Sequence, residues 1–168
     1  MKKYVFKPYE PAYPKLFEEE KTRLEKFLDD DARVEHFGST AVPELGGKGI
    51  IDIYITVPKE KVDAIRKVLE YDKYEFRPNA GSPERFFFRK IVKKNDDKQL
   101  YHVHLTDSDN PEFDRDISFR NYLRSHPDDA NRYAKIKKKA ATESEQDRDK
   151  YMRIKKPLIL ELLKKSLL

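Results

Sequence analysis

The segment that most constrains the fold is GIIDIYITV, residues 49–57, a dense run of β-branched side chains. Its aliphatic residues alternate with Asp52, Tyr54 and Thr56, so the two sets occupy opposite faces of one strand. Such a run favours burial, yet an ionised carboxylate without a partner is costly inside a core. We therefore expect Asp52 to face a polar cleft that contains a cation or hydrogen-bond donors.

A glycine turn precedes this strand. Residues 34–37 form a short alternating strand, and Gly38 permits a sharp turn directly after it. Ser39 or Thr40 is then expected to cap a helical turn over residues 41–45. Because backbone N–H groups at a helix start attract phosphate, the pattern predicts a phosphate site beside the strand carboxylate. A phosphate next to a carboxylate in turn suggests a nucleotide bound with a divalent cation.

Several motifs resemble those of one protein family. The Gly38-Ser39 turn followed by Asp52 on the next strand resembles the signature of the nucleotidyltransferase superfamily, where such a turn holds triphosphate and an Asp-x-Asp pair holds magnesium. The fuller string is similar to that of the GrpB family of bacterial proteins, as are YEPAYPKLFEEE, YHVHL, FRNYLRSHPDDANRYAKIKKKAA and YMRIKKPLI. The resemblance covers nearly the whole chain. It implies one nucleotidyltransferase-like domain over residues 1–168 and no particular reaction.

The chain departs from the superfamily signature at Tyr54, which stands where the second aspartate would be. Tyrosine is a poor magnesium ligand at neutral pH, because its pKa is about 10. Magnesium prefers oxygen ligands and usually takes one or two carboxylates plus phosphate oxygens. We therefore expect Mg²⁺ to bind weakly, through Asp52 and a bound phosphate. A binding module without turnover is the alternative to nucleotidyl or phosphoryl transfer.

The motif YHVHL places two histidines on one face of a strand. His102 and His104 are two residues apart, so their backbones lie about 7 Å from each other. Together with Asp52 they form the predicted catalytic set, in which Asp52 and His104 bind the metal. Two imidazoles and one carboxylate also suit iron, manganese or zinc, which gives a metal-dependent hydrolase as a further alternative. The remaining interpretation is a pair of partly buried, hydrogen-bonded histidines without a ligand.

The predicted phosphate and substrate contacts are spread along the chain: Gly38, Ser39, Lys48, Arg89, Arg120 and Lys137. Arginine is suited to bidentate phosphate contacts, which favours Arg89 on its predicted strand. Arg120 and Lys137 match motifs of the resembled family and would reach the ligand from the helical part. Lys48 and Lys137 also fit ordinary surface lysines, since basic runs on helices usually face solvent.

The first strand leaves one orientation open. Glu35 and His36 are neighbours, so they point to opposite faces and only one of them faces the cleft without a bulge. We favour His36 for the cleft.

The remaining patterns predict an α+β fold. Helices are expected over residues 14–28 and 59–71, and strands over residues 85–92 and 99–106 joined by the polar turn 93–98. Residues 1–13 read as an extended arm pinned by aromatic side chains. From residue 111 the chain is helical, with Pro127 starting one helix and Pro157 starting or kinking another. This order suits a mixed sheet with helices packed on it and a C-terminal helical cap that forms one wall of the cleft.

Composition excludes several kinds of site. The 168 residues include no cysteine, which rules out disulfides, thiolate metal sites and cysteine nucleophiles. The formal net charge of +5 mildly favours anionic partners. Neither a signal peptide nor an apolar run of membrane-spanning length is evident, so a cytoplasmic protein is expected. No recognised RNA- or DNA-binding motif is present, so the expected partner is a nucleotide or another small phosphorylated molecule.

Overall fold

The fold is described here from a computed structural model, which covers residues 2–168; Met1 and the side chain of Lys94 lie outside the described part. The helices are α1 (Tyr13–Glu25), α2 (Val62–Tyr71), α3 (Pro111–Ser125), α4 (Pro127–Glu143) and α5 (Arg148–Ser166). The strands are β1 (Arg33–Phe37), β2 (Ile51–Val57), β3 (Glu75–Phe76), β4 (Arg85–Lys94) and β5 (Asp97–Asp107).

The strands form one five-stranded sheet in the order β1-β2-β5-β4-β3. The central pair, β2 and β5, is parallel, and the other three pairs are antiparallel. Parallel neighbours require a crossover connection, and α2, β3 and β4 all lie between β2 and β5 in the chain. The predicted α+β class with a mixed sheet is confirmed.

The aliphatic face of β2 forms the main core. Ile51, Ile53 and Ile55 are completely buried. They pack with apolar residues of α1, such as Phe17, and of α2, such as Leu69. Alternation along β2 therefore places this face against two helices and directs Asp52 to the opposite side of the sheet.

The C-terminal helices cover that opposite face, as predicted. Tyr54 of β2 packs edge-on against Phe113 of α3, with ring centroids 5.3 Å apart. Helices α3, α4 and α5 hold one another through a small core that includes Leu123, Ala130 and Leu162. The sheet and these helices leave a cleft between them, and the helical cap forms one wall of it, as expected from the sequence.

The connection from β1 to β2 differs from its prediction in detail. A 3₁₀ helix spans Ser39–Ala41, and among the described residues no side chain caps it. The Thr40 hydroxyl instead donates to the Ile50 carbonyl at 2.9 Å, which ties the turn to the start of β2. The predicted cap was wrong because Gly38, with φ of 72°, starts the turn by itself.

The prolines of the C-terminal helices lie at two kinds of position, and Pro127 starts a helix as predicted. Pro157 lies inside α5 and does not start it, whereas Pro111 and Pro127 each stand at the first turn of a helix. That position suits proline, because its missing N–H would be unsatisfied there anyway.

Within residues 2–168, no helix combines the length and the apolar composition needed to cross a bilayer.

The N-terminal arm contacts residues on both sides of the cleft. Lys7 forms a pair of backbone hydrogen bonds with Gly47, of 2.6 and 2.9 Å. Tyr4 stacks on Tyr151 of α5 with ring centroids 4.3 Å apart. The Gln146 side chain accepts from the Tyr4 backbone and donates to it. The arm therefore connects the loop before β2 to the C-terminal helices.

Candidate functional site

A cavity of about 380 Å³ lies between the Asp52 face of the sheet and the helical cap. Polar side chains line one part of it, and these are Ser39, Lys48, Asp52, His102, Asp116, Arg120, Lys137 and Lys155. Apolar and aromatic side chains line the rest, namely Phe37, Val42, Leu45, Ile50, Phe119, Leu123, Tyr133 and Tyr151. A pocket of this size with a few convergent polar groups is typical of a small-molecule site.

Asp52 stands at the junction of β1, β2 and β5. Its partner in the parallel pair is His102. The Asp52 carboxylate lies 3.4 Å from His102 Nδ1 and 4.0 Å from His104 Nε2. The Asp52 side chain is 22% exposed, so the carboxylate faces the cavity without being solvated freely. The prediction that Asp52 faces a cleft containing donors is confirmed.

Two glycines keep the backbone of the site open. A methyl group added at Gly38 would lie 2.5 Å from an Asp52 carboxylate oxygen. At Gly47 it would lie 2.5 Å from Ser39 Oγ and 2.7 Å from Lys137 Nζ. The Ser39 hydroxyl and the Lys137 amine therefore converge on the space beside Gly47.

Three lysines reach the cavity from three different parts of the chain. Lys137 of α4 is buried, and its Nζ donates to the Gly46 carbonyl at 2.9 Å. Lys155 of α5 lies over the Tyr151 ring, and Lys48 lies over the Tyr4 ring at 4.9 Å. The aromatic faces partly replace water around these cations.

Burial lowers the pKa of all three lysines, and nearby lysines lower it further. Burial, together with the charge of Lys155, lowers the pKa of Lys137 to about 7, although Asp52 acts in the opposite direction. Burial and then Lys48 lower the pKa of Lys155 to about 8. Burial also lowers the pKa of Lys48, against the attraction of Asp52. The lysines are therefore held close together with too little negative charge around them.

The second carboxylate of the cavity is already paired. Asp116 of α3 accepts from the Tyr54 hydroxyl at 3.1 Å and lies 3.4 Å from Arg85 Nη1. Its other oxygen accepts from Arg115 at 3.0 Å. Asp52 is therefore the carboxylate left to face the lysines, and the cavity holds an excess of cationic side chains over carboxylates.

Tyr54 is a structural residue. It is completely buried, and its hydroxyl accepts from Arg85 Nη1 at 3.1 Å while donating to Asp116. Burial raises the pKa of Tyr54 to about 12, so the phenol stays protonated. A protonated phenol engaged in two hydrogen bonds does not offer magnesium a ligand.

His104 lies next to Asp52 but is not one of the residues that line the cavity. It contacts the rings of Phe37 and Phe87 edge-on, at 4.9 and 5.0 Å. Burial and the nearby charge of Arg85 lower the pKa of His104 well below its ordinary value, so the ring is neutral. Its Nδ1 has no hydrogen-bond partner among the described residues. The predicted metal role of His104 remains a prediction.

The donor set does not form a protein-only metal site. Within residues 2–168, no group of three or more histidine, aspartate or glutamate side chains is arranged to hold a metal ion. Asp52 with His102 supplies two ligands at most on the cavity side. Magnesium at this place would need oxygens from a bound phosphate to complete its coordination.

The two predicted arginine contacts have different positions. Arg89 shares the sheet face of His102, its partner across β4 and β5. It binds Glu75 at 2.9 Å and lies away from the described cavity lining. Arg120 does line the cavity, where Nη1 donates to Glu35 at 2.8 Å and to the His36 carbonyl at 2.7 Å.

The prediction that His36 faces the cleft was wrong. In the β1–β2 pair, Glu35 lies opposite Tyr54 and His36 lies opposite Ile53, on the core face. The His36 ring stacks on Phe17 at 4.6 Å, and its Nε2 is 2.9 Å from the Thr40 hydroxyl. Burial and two nearby arginines lower the pKa of His36 to about 3. His36 is therefore a neutral core residue.

Sequence reasoning missed Lys155 and the neighbouring Tyr151 as residues of the site. A signal was present: α4 contains YAKIK and α5 contains YMRIK, so the pattern Tyr-x-x-Ile-Lys occurs twice. Residues four apart share a helix face. The pairs Tyr133–Lys137 and Tyr151–Lys155 each direct a tyrosine and a lysine into the same cavity.

Replacement of Lys137 by methionine is expected to change how stability depends on pH. The pKa of Lys137 is about 7 in the folded chain and about 10.4 when unfolded. Between these values the unfolded chain binds more protons, so the wild-type free energy of unfolding gains from this residue as pH rises. Lys137→Met should therefore be more stable than wild type at pH 6, by on the order of 1–3 kcal/mol, and lose that advantage by pH 9 to 10.

Urea denaturation at a series of pH values measures this difference. Lys138 is exposed on the same helix, so Lys138→Met is the matched control and should keep the wild-type pH dependence. A Lys137→Met curve parallel to that of wild type would show that Lys137 is not a buried, easily neutralised amine.

Comparison with known proteins places the chain in a family. The sequence model described as "GrpB protein" matches residues 3–165. The UPF0157 protein YqkA of Bacillus subtilis is 32% identical over 86% of this chain, which spans 41% of YqkA. The UPF0157 protein BH1888 of Halalkalibacterium halodurans is 33% identical over 94% of this chain and 80% of that protein.

A solved structure agrees with this assignment. The crystal structure of the conserved protein GrpB from Enterococcus faecalis is 37% identical to the chain and superposes with a TM-score of 0.78. The superposition covers 98% of this chain and 100% of that one. The sequence match and the shared fold both extend over almost the whole described chain, and the chain therefore belongs to the GrpB protein family.

Proposed function

We propose that the chain binds a phosphorylated small molecule, a nucleotide by preference, in the cavity beside Asp52. The observation that carries the proposal is the cluster of Lys48, Lys137 and Lys155, which the folded chain holds together at an electrostatic cost. Groups that are costly for folding are often retained for function. A bound phosphate would supply the negative charge that the cluster lacks.

The apolar part of the cavity supports a ligand with a non-polar portion. Phe119 and Tyr133 meet edge-on with centroids 5.8 Å apart, and Leu123 lies in the same apolar cluster. In the proposed complex a nucleobase or a similar planar group packs here, while the phosphates reach Ser39, Lys48 and Lys155. Gly38 and Gly47 let the ligand approach the backbone closely.

In this proposal lysines, and not a metal ion, provide most of the charge neutralisation. Magnesium enters with the ligand, held by Asp52 and phosphate oxygens, because Tyr54 and Asp116 are engaged with each other. Phosphate binding should therefore persist when divalent cations are removed.

Calorimetry with nucleoside triphosphates tests the proposal. We expect binding both in magnesium and in excess EDTA, with at most a modest change in affinity. Lys155→Met should weaken binding about 10- to 30-fold in both buffers, roughly 1.4–2 kcal/mol. Lys156 is exposed at the next position of α5, so Lys156→Met serves as the control and should bind like wild type.

A titration without heat or thermal stabilisation for any triphosphate, monophosphate or sugar phosphate would contradict the proposal. Binding that vanishes in EDTA would instead assign the charge neutralisation to a metal ion. Equal affinities for wild type and Lys155→Met would remove the lysine cluster from the site.

The second candidate is phosphoryl or nucleotidyl transfer in the same cavity. It is favoured by the 3.4 Å approach of His102 to Asp52 on the cavity side, which gives a carboxylate–imidazole pair beside the proposed phosphate. In-line transfer depends mainly on positioning and charge stabilisation. Chromatography of the calorimetry samples distinguishes the two candidates, since turnover would release diphosphate or phosphate and simple binding would not.

A further inference from the structure

We propose that Lys137 is an imine-forming residue, and that the ligands of this cavity include phosphorylated aldehydes or ketones. The inference rests on the phosphate site proposed above. It adds a covalent step, namely reversible condensation of the Lys137 amine with the carbonyl group of a bound phosphorylated ligand.

The surroundings of Lys137 suit a reactive amine. The residue is 8% exposed, and its Nζ donates one hydrogen bond, to the Gly46 carbonyl. As a neutral amine it keeps that bond and leaves its lone pair for the cavity. The Tyr133 ring lies 5.2 Å away, and the Gly47 backbone leaves the amine accessible beside Ser39.

The charges facing Lys137 come from every element around it. Lys155 approaches from α5 and Lys48 from the loop before β2, and both disfavour a third positive charge. Asp52 from β2 favours the charge but lies against His102 as well. Enzymes activate lysine nucleophiles in the same way, by desolvation and by a neighbouring cation. Lys137 differs in this from the exposed lysines around it on α4.

The three lysines can then have different roles. Lys48 and Lys155 are only partly buried and suit the phosphate, whereas Lys137 is the most buried of the three and suits the carbonyl. A ligand with a phosphate at one end and an aldehyde or ketone a few atoms away would reach both.

The condensation balances without a further reagent. The Nζ lone pair attacks the carbonyl carbon, and the carbonyl π electrons move to oxygen. Proton transfer from nitrogen to oxygen gives a carbinolamine, and loss of one water forms the C=N bond. No oxidation or reduction takes place. Once protonated, the imine nitrogen withdraws electrons from the neighbouring carbon more strongly than a carbonyl oxygen does.

Pyridoxal 5′-phosphate is a suitable probe, because it carries a phosphate and an aldehyde and its imines absorb visible light. The full chain is treated with one equivalent of the probe near pH 7, reduced with borohydride and digested for peptide mass spectrometry. We expect one label per chain, on Lys137. Labelling there should be at least about tenfold faster than on Lys138, because a pKa near 7 leaves far more neutral amine at this pH.

Three comparisons separate this step from phosphate binding alone. Pyridoxal without the phosphate should label Lys137 much more slowly, and a nucleoside triphosphate should protect it. Lys137→Met and Lys137→Arg should both lose the label.

The outcomes distinguish the two proposals. Labels spread evenly over exposed lysines, or a label on Lys155, would overturn the imine assignment. If triphosphate still binds in that case, the phosphate site stands and only the covalent step fails. If neither triphosphate nor the probe binds, the phosphate site fails and the imine proposal fails with it.

Discussion

Replacement of Tyr54 by aspartate is expected to lower the free energy of unfolding by about 4–6 kcal/mol, without creating a magnesium site. The substitution places an aspartate at the second position of the Asp-x-Asp pair in the signature that the sequence resembles. It also removes a completely buried ring that packs between Phe37 and Phe113. The new carboxylate would lie in the place of that ring, near Asp116, where a second negative charge is unfavourable.

Urea denaturation of Tyr54→Asp and Tyr54→Phe measures this difference. The phenylalanine variant keeps the packing and loses the hydrogen bonds to Arg85 and Asp116, so it should cost about 1 kcal/mol. A Tyr54→Asp protein as stable as wild type, with stoichiometric magnesium binding, would show that the second carboxylate position is open after all.

Local alternation explains what the sequence predicted well. The run from Ile51 to Val57 could bury its aliphatic side only by turning Asp52 to the other face, and the YHVHL motif obeys the same rule. The parallel pairing of β2 with β5 then places His102 beside Asp52. The hairpin of β4 and β5 likewise follows from two apolar strands around a polar turn.

Tertiary packing explains what the sequence did not predict. Whether Glu35 or His36 faces the cleft depends on the register of β1 against β2. Phe17 of α1 stacks on the His36 ring and stabilises His36 on the core face. Arg89 is on the expected face, yet Glu75 of the short strand β3 binds it. Phe17 is far from His36 in sequence, and Glu75 is far from Arg89. The two-residue alternation of a strand does not indicate which of its faces packs against which helix.

The lysine cluster shows most clearly that tertiary packing, and not local sequence, brings the site residues together. Lys137 was identified through a family motif, while Lys155 stands in a basic stretch that reads as a solvated helix face. Only the antiparallel packing of α4 on α5, with the arm residue Tyr4 against Tyr151, brings these lysines into one cavity. The proposed function depends on that proximity, because Lys155 and Lys48 lower the affinity of Lys137 for a proton and Lys48 lowers that of Lys155.

The largest expected effect on ligand binding is that of Gly47→Ala. The added methyl group would lie at the point where Ser39 Oγ and Lys137 Nζ converge. Lys137 Nζ ends a flexible side chain and can move, whereas Ser39 is short and its Cβ would lie 3.0 Å from the new methyl group. We therefore expect a loss of stability of about 1–2 kcal/mol. The space for a phosphate is removed, however, and we expect triphosphate affinity to fall about 100-fold, roughly 2.7 kcal/mol.

Gly38→Ala is the comparison variant, and we expect it to reduce stability more than Gly47→Ala does. Gly38 has φ of 72°, and its added methyl would meet the Asp52 side chain at 2.5 and 3.2 Å. Asp52 is short and anchored in β2, so it moves less easily than a lysine. We expect Gly38→Ala to lose about 2–4 kcal/mol of stability as well as binding. If Gly47→Ala binds triphosphate like wild type, the phosphate lies elsewhere in the cavity, because a phosphate at Ser39 would share the space of the new methyl group.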